Sequence, residues 1–113
     1  GGVQLASNIT FHLNGGAVLK GSGRLEDYAR LRGLGGAELE RPEDSENRGV
    51  LAAVGVRNVT LSGTGVIDGT GAAFWSDLEN RPDFTVGFAD CRNIRIRDVT
   101  IIDPSKYNVR LNN

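Results

Sequence analysis

Short stretches of the chain alternate apolar and polar residues and are then broken by glycine or asparagine. Three of them share one pattern: Ser7-Asn8-Ile9-Thr10-Phe11, Arg57-Asn58-Val59-Thr60-Leu61 and Arg92-Asn93-Ile94-Arg95-Ile96. Each reads polar, Asn, β-branched apolar, polar or charged, apolar. Successive side chains of a strand point to opposite faces, so a period of two predicts strands with one buried face. The apolar positions continue at Leu13, and at Val99 with Ile101.

Further strands are predicted on either side of these segments. Val50-Leu51-Ala52-Ala53-Val54 and Phe84-Thr85-Val86-Gly87-Phe88 precede the second and third, and Val3-Gln4-Leu5 is the weaker counterpart before the first. Ala17-Val18-Leu19, Val66-Ile67-Asp68 and Ile101-Ile102-Asp103 follow them. A fourth unit opens at Tyr107-Asn108-Val109-Arg110-Leu111, 23 residues after Phe84. Asn58 and Asn93 are 35 apart and Asn8 and Asn58 are 50 apart. Insertions at about 23–48, with the charged run Glu40 to Glu46, and at about 72–83 absorb the excess. A helical turn is expected in each, at Glu26 to Leu31 and at Phe74 to Leu78.

A repeat of three short strands and three turns predicts an all-β, right-handed parallel β-helix of about three to four coils, with residues 1–113 forming part of one such domain. No long helical pattern separates the strands, which argues against a doubly wound α/β fold. A β-sandwich also has short strands and frequent turns. The Asn recurring at one register favours the β-helix, because stacked Asn side chains hydrogen-bond to one another. A buried ladder of this kind is expected to leave the sequons Asn8-Ile9-Thr10 and Asn58-Val59-Thr60 without glycan.

Gly makes up 16 of 113 residues without a G-x-y period, so the glycines mark turns and not collagen. The net charge is −1 and the basic residues form no linear stripe, so nucleic acid is not an expected partner. No apolar run reaches a membrane span, and none is expected. No leader-like segment opens the chain, so a signal has been removed or the sequence starts inside a longer protein. The single Cys91 excludes an intrachain disulfide. No residue set calls for a metal or a cofactor, and oligomeric state is left open.

Three stretches resemble the polygalacturonase family, glycoside hydrolase family 28, whose fold is a pectin-lyase-like solenoid. Asn8-Ile-Thr-Phe-His-Leu-Asn-Gly-Gly-Ala-Val-Leu-Lys-Gly-Ser22 with Leu25-Glu-Asp-Tyr28 resembles its first coil. Asn58-Val-Thr-Leu-Ser-Gly-Thr-Gly-Val-Ile-Asp-Gly-Thr-Gly71, with Phe74-Trp75, resembles its most recognisable early motif. Phe84 to Asn112, including Asn93-Ile-Arg-Ile-Arg-Asp-Val-Thr-Ile-Ile-Asp-Pro104, resembles the coil before the catalytic one. The resemblance implies hydrolysis of a pectin-like polyuronide by an extracellular or periplasmic protein. It also implies acid–base aspartates in Asn-Thr-Asp and Asp-Asp motifs, with Gly-His-Gly and Arg-Ile-Lys nearby. None of these motifs occurs here, so no residue is assigned a catalytic role.

The resemblance places Asn108 and Arg110 beside the substrate groove. Asn108, Arg110 and Asn112 alternate with Val109 and Leu111 and are expected to face outward, Arg110 toward a uronate carboxylate. Asp68 and Asp103, 35 residues apart, are expected to stack on adjacent coils about 5 Å apart. Such a pair could share a proton or bind a cation, but turn-closing carboxylates next to Gly69 and Pro104 are the simpler reading. Gly63-Thr64-Gly65 and Gly69-Thr70-Gly71 read as turns and not as a phosphate cradle. His12 is expected on the surface, Cys91 as a half-buried structural thiol, and Trp75 as either a sugar-stacking ring or a loop anchor.

The first functional reading is thus the amino-terminal part of a pectin-degrading hydrolase. A non-catalytic carbohydrate-binding or adhesion module is the second. The third is a polysaccharide lyase, which needs a calcium cluster and a basic residue as base. The 113 residues alone are expected to be poorly soluble, because uncovered strand edges invite association.

Overall fold

The computed structural model describes residues 2–30 and 48–112. The first pass comprises β1 (Val3–Leu5), β2 (Ile9–His12) and β3 (Val18–Lys20), followed by a short β4 (Ala29–Arg30). The second comprises β5 (Arg48–Val54), β6 (Arg57–Ser62) and β7 (Val66–Asp68). The third comprises β8 (Phe84–Ala89), β9 (Arg92–Ile96) and β10 (Thr100–Ile102), and β11 (Tyr107–Asn112) begins another. The sheet orders are β1-β5-β8-β11, β2-β6-β9 and β3-β7-β10. All neighbours in these orders pair in parallel. Parallel partners need a long crossover. Here each crossover is a visit to the other two sheets, as a parallel β-helix requires.

The interior is filled by columns of aliphatic and aromatic side chains. Val3, Leu51, Val86 and Val109 are in register, as are Leu5, Ala53, Phe88 and Leu111. Phe11, Leu61 and Ile96 form a column in the second sheet, and Leu19, Ile67 and Ile101 in the third. Leu51, Leu61, Ile67 and Val86 are fully buried. Each such side chain contributes about 1.5–3 kcal/mol relative to an exposed one.

The Asn segments superpose as the repeat predicts. The Nδ2 of Asn58 donates to Oδ1 of Asn8 at 2.8 Å, and the Nδ2 of Asn93 donates to Oδ1 of Asn58 at 2.9 Å. The ladder is not buried, however: all three side chains are exposed. The backbone at Asn8, Asn58 and Asn93 is left-handed, with φ of 61°, 60° and 56°. That kink carries the chain from the first sheet to the second and turns the residue outward. Asn tolerates this conformation better than most residues. The ladder therefore fixes a corner and not the core, and burial gives no reason for an absent glycan.

The expected stack of Asp68 on Asp103 is also corrected. Leu61 and Ile96 pair 35 residues apart, but Val66 and Thr100 pair only 34 apart. The third pass has one residue fewer between the second and third sheets. Asp68 is consequently opposite Ile102 and Lys20, and Asp103 falls in the turn beyond β10 with φ 48°. The same turn geometry moves the third strands to Val18–Lys20 and Thr100–Ile102, one residue from their predicted bounds.

The expected helical turns take a different form. Leu25–Asp27 is a 3-10 turn, and β4 pairs antiparallel with β5, which the repeat did not reveal. Leu31 and the run Glu40 to Glu46 lie outside the described residues. In the other insertion, 3-10 turns span Gly71–Phe74 and Leu78–Asn80. Phe74 is 6% exposed and meets Tyr28 edge-on, with centroids 5.7 Å apart. This contact pins both insertions to the stack. Gly49 has a steric role: a Cβ there would run into the Phe84 ring.

Asn58→Ala removes both ladder bonds and places Ala in a left-handed position. The expected cost is about 2 kcal/mol, against about 1 kcal/mol for Asn58→Gly, measured by urea unfolding. Tyr28 supplies a pH test. Burial raises its phenol pKa above 10.0, and its hydroxyl accepts from Gly23 N at 3.2 Å. The folded state thus holds this proton more tightly. Its contribution is complete below the unfolded value and is lost as pH rises through the folded one. Stability should fall above about pH 10 in the native chain, and Tyr28→Phe should flatten that loss in alkaline denaturation curves.

Candidate functional site: a cationic cleft around Asp83

Arg81-Pro82-Asp83 leads into β8, and Ser105-Lys106 leads into β11 one pass later. Backbone bonds lock the junction. Asp83 N donates to Arg48 O at 2.9 Å, and Tyr107 N donates to Asp83 O at 3.0 Å. The Arg81 guanidinium donates to Ser105 O at 2.9 Å. Asp83 is only 2% exposed. An isolated carboxylate in such a position is costly. Two cations compensate it: Arg110 Nη1 bonds Oδ2, and Lys106 Nζ lies 3.4 Å from Oδ1. Lys106 also lies over the Tyr107 ring, 5.3 Å from its centroid.

Arg110 pairs in register with Gly87, where no side chain competes for the face of the sheet. Together these groups line a cleft of about 450 Å³ with Val109 and Leu111, at the β11 edge of the first sheet. Among the described residues that line the cleft, two cations face one carboxylate. The cleft suits an anionic ligand whose carboxylate reaches Lys106 and Arg110, with Asp83 orienting the guanidinium.

Asn108 does not share this cluster. It sits between the pairs Tyr107–Phe84 and Val109–Val86, next to the fully buried Thr85 on the neighbouring strand. It is itself exposed. Thr85 Oγ1 has no hydrogen-bond partner among the described residues. The strand position of Asn112 is beside Ala89.

The remaining candidates are apart from the cleft. Asp68 Oδ1 accepts from Thr70 N at 2.8 Å and closes its own turn, whereas Asp103 Oδ2 accepts from Ala72 N at 3.4 Å in the 3-10 turn that follows β7. His12 is exposed and its Nδ1 bonds Ser62 Oγ at 2.9 Å. Cys91 is half-buried and points its Sγ at the carbonyls of Ala53 and Ala89. Trp75 is 71% exposed, so it is not a packed anchor; Phe74 anchors the loop. Gly63 takes φ 96° in a turn. No group of three metal-ligating side chains occurs among the described residues.

Asp83 and Lys106 were missed by the sequence reading. A signal existed: they are 23 residues apart, as are Phe84 and Tyr107, so the repeat places them side by side. Arg48 was also missed. It is buried, and its Nη1 donates to the carbonyls of Leu25, Glu26 and Tyr28. Nothing in its sequence context distinguishes it from a surface arginine.

No family model matches the chain, and no curated protein does. One solved structure is similar across 98% of the chain with a TM-score of 0.72 and 20% identity. It is described as a putative glycosyl hydrolase from Parabacteroides merdae ATCC 43184. The present chain spans 56% of that protein's length. At this identity the likeness shows a shared fold.

Asp83→Asn leaves two cations facing a neutral amide. The fully buried case costs about 3–5 kcal/mol, and partial exposure of Lys106 and Arg110 lowers the expectation to about 2 kcal/mol. Thermal denaturation should show this loss, and Asp83→Glu should not restore it, because its longer side chain displaces Arg110.

Proposed function

We propose that this chain is part of a right-handed parallel β-helix of the pectin-lyase-like type, in a glycoside hydrolase that acts on polygalacturonate or a related pectin. The cationic cleft carries the reading: Lys106 and Arg110, oriented by the buried Asp83, suit the carboxylate of a uronate unit. Three parallel sheets stacked in register, and the likeness in fold to the Parabacteroides merdae protein, support the architecture. Within the described residues the chain makes about three passes and starts a fourth. An acidic cell-wall polymer as substrate implies an extracellular or periplasmic site of action.

Glycoside hydrolysis needs two carboxyl groups, about 5–5.5 Å apart for retention or 6.5–9.5 Å for inversion. The cleft holds one, Asp83, and two cations occupy it. Arg110 is assigned to the substrate side with no catalytic role, and Asn108, which lies outside the cleft, joins it on the family resemblance alone.

Release of reducing ends from polygalacturonate by the full-length protein tests the hydrolase reading. An unsaturated product would instead mark a lyase, and binding without either product would mark a module. Arg110→Gln should weaken binding of a short oligogalacturonate by about tenfold or more, read by calorimetry. An unchanged affinity would remove the cleft from the substrate path.

A further inference from the structure

A second basic surface lies on the sheet β2-β6-β9, away from the cleft. Val59 and Leu61 point into the core, so the alternate positions point outward. Across the three strands these positions are Thr10, Thr60 and Arg95 in one row. His12 and Ser62 form the next row, and Arg97 follows them, its N–H bonded to Leu61 O. Arg57 and Arg92 pair in register at the corner beside the Asn ladder. No carboxylate occupies any of these positions. The four arginines are exposed and make no ion pair among the described residues. The nearest acids stand in the turns at the two ends: Asp90 beside Arg57 and Arg92, and Asp98 beside Arg97. Among the described residues, Arg95 and Arg97 against Asp98 leave +1 on the face, and Arg57 and Arg92 against Asp90 leave +1 at its corner, on a chain whose net charge is −1.

Arg92, Arg95 and Arg97 lie within one six-residue segment, and stacking adds Arg57 from the neighbouring rung. Arg57 and Arg92 lie about 4.8 Å apart across the rungs, and Arg95 and Arg97 about 7 Å apart along one strand. Like charges at such spacing repel, and an anion laid over them removes the cost. Thr10, Thr60, Ser62 and the Asn ladder add hydroxyls and amides that match sugar hydroxyls. No Phe, Tyr or Trp stands in an outward position on this face, which leaves His12 and the guanidinium planes as its only groups able to stack on a base.

We infer that the outer face of β2-β6-β9 is a non-catalytic binding surface for a carboxylate-bearing polysaccharide, which tethers the protein to its polymer. The inference stands on this sheet alone and does not need the hydrolase reading. The test compares retardation of the full-length protein in gels containing polygalacturonate, fully methyl-esterified pectin or no polymer. The native chain should be retarded by polygalacturonate only, and added salt should reduce the effect. R95Q/R97Q, a substitution of two exposed side chains checked by circular dichroism, should weaken it by about tenfold. Equal retardation of the double variant, no retardation of the native chain, or tighter binding to a single-stranded oligonucleotide would overturn the inference. Loss of binding in R110Q alone would overturn it and leave the cleft reading intact. Loss in R95Q/R97Q alone would do the reverse.

Discussion

The spacing between rungs governs this protein. Parallel strands hydrogen-bonded at about 4.8 Å bring every third-pass side chain over its second-pass counterpart. Columns such as Val3, Leu51, Val86 and Val109 then bury one another on their contact faces, with no α-helix among the described residues to cover the sheets. The same spacing places amide over amide at Asn8, Asn58 and Asn93. Polar and apolar ladders therefore share one cause, in-register stacking, and differ only in which side of the backbone they occupy.

Stacking also determines where charge accumulates. Each outward position is repeated on the next rung, so like residues become neighbours unless the sequence alternates their sign. Around Asp83 the chain does alternate sign. A buried carboxylate on the third pass meets Lys106 and Arg110 on the next. On the outer face of β2-β6-β9 it does not, and Arg57 stands over Arg92. On a solvent face water and salt screen such repulsion, and an anionic partner of the kind proposed above would relieve it further.

Departures from strict repetition are equally informative. One residue fewer between β9 and β10 takes Asp103 out of register with Asp68, so Asp68 closes its own turn and Asp103 bonds Ala72 in the turn that follows it. A one-residue change in a turn is enough because side-chain direction has a period of two. The insertion containing Phe74 and Trp75 divides its aromatics in the same spirit. Phe74 is held against Tyr28, and Trp75 is left in solvent.

The sequence by itself determined the strands, their order and the superposition of the three Asn segments, because all of these follow from alternation and from a repeat of Asn at one register. It also held, unread, the 23-residue offset that joins Asp83 to Lys106. Tertiary structure alone decided which face of the stack the Asn ladder occupies, since a left-handed φ leaves no mark in a hydropathy pattern. It alone decided the fate of the two aspartates, because turn length is not fixed by strand periodicity. It decided as well that Arg48 is buried and that Arg57 stands over Arg92 at the corner beside Arg95 and Arg97, since burial and proximity between rungs are properties of the closed stack and not of neighbours along the chain.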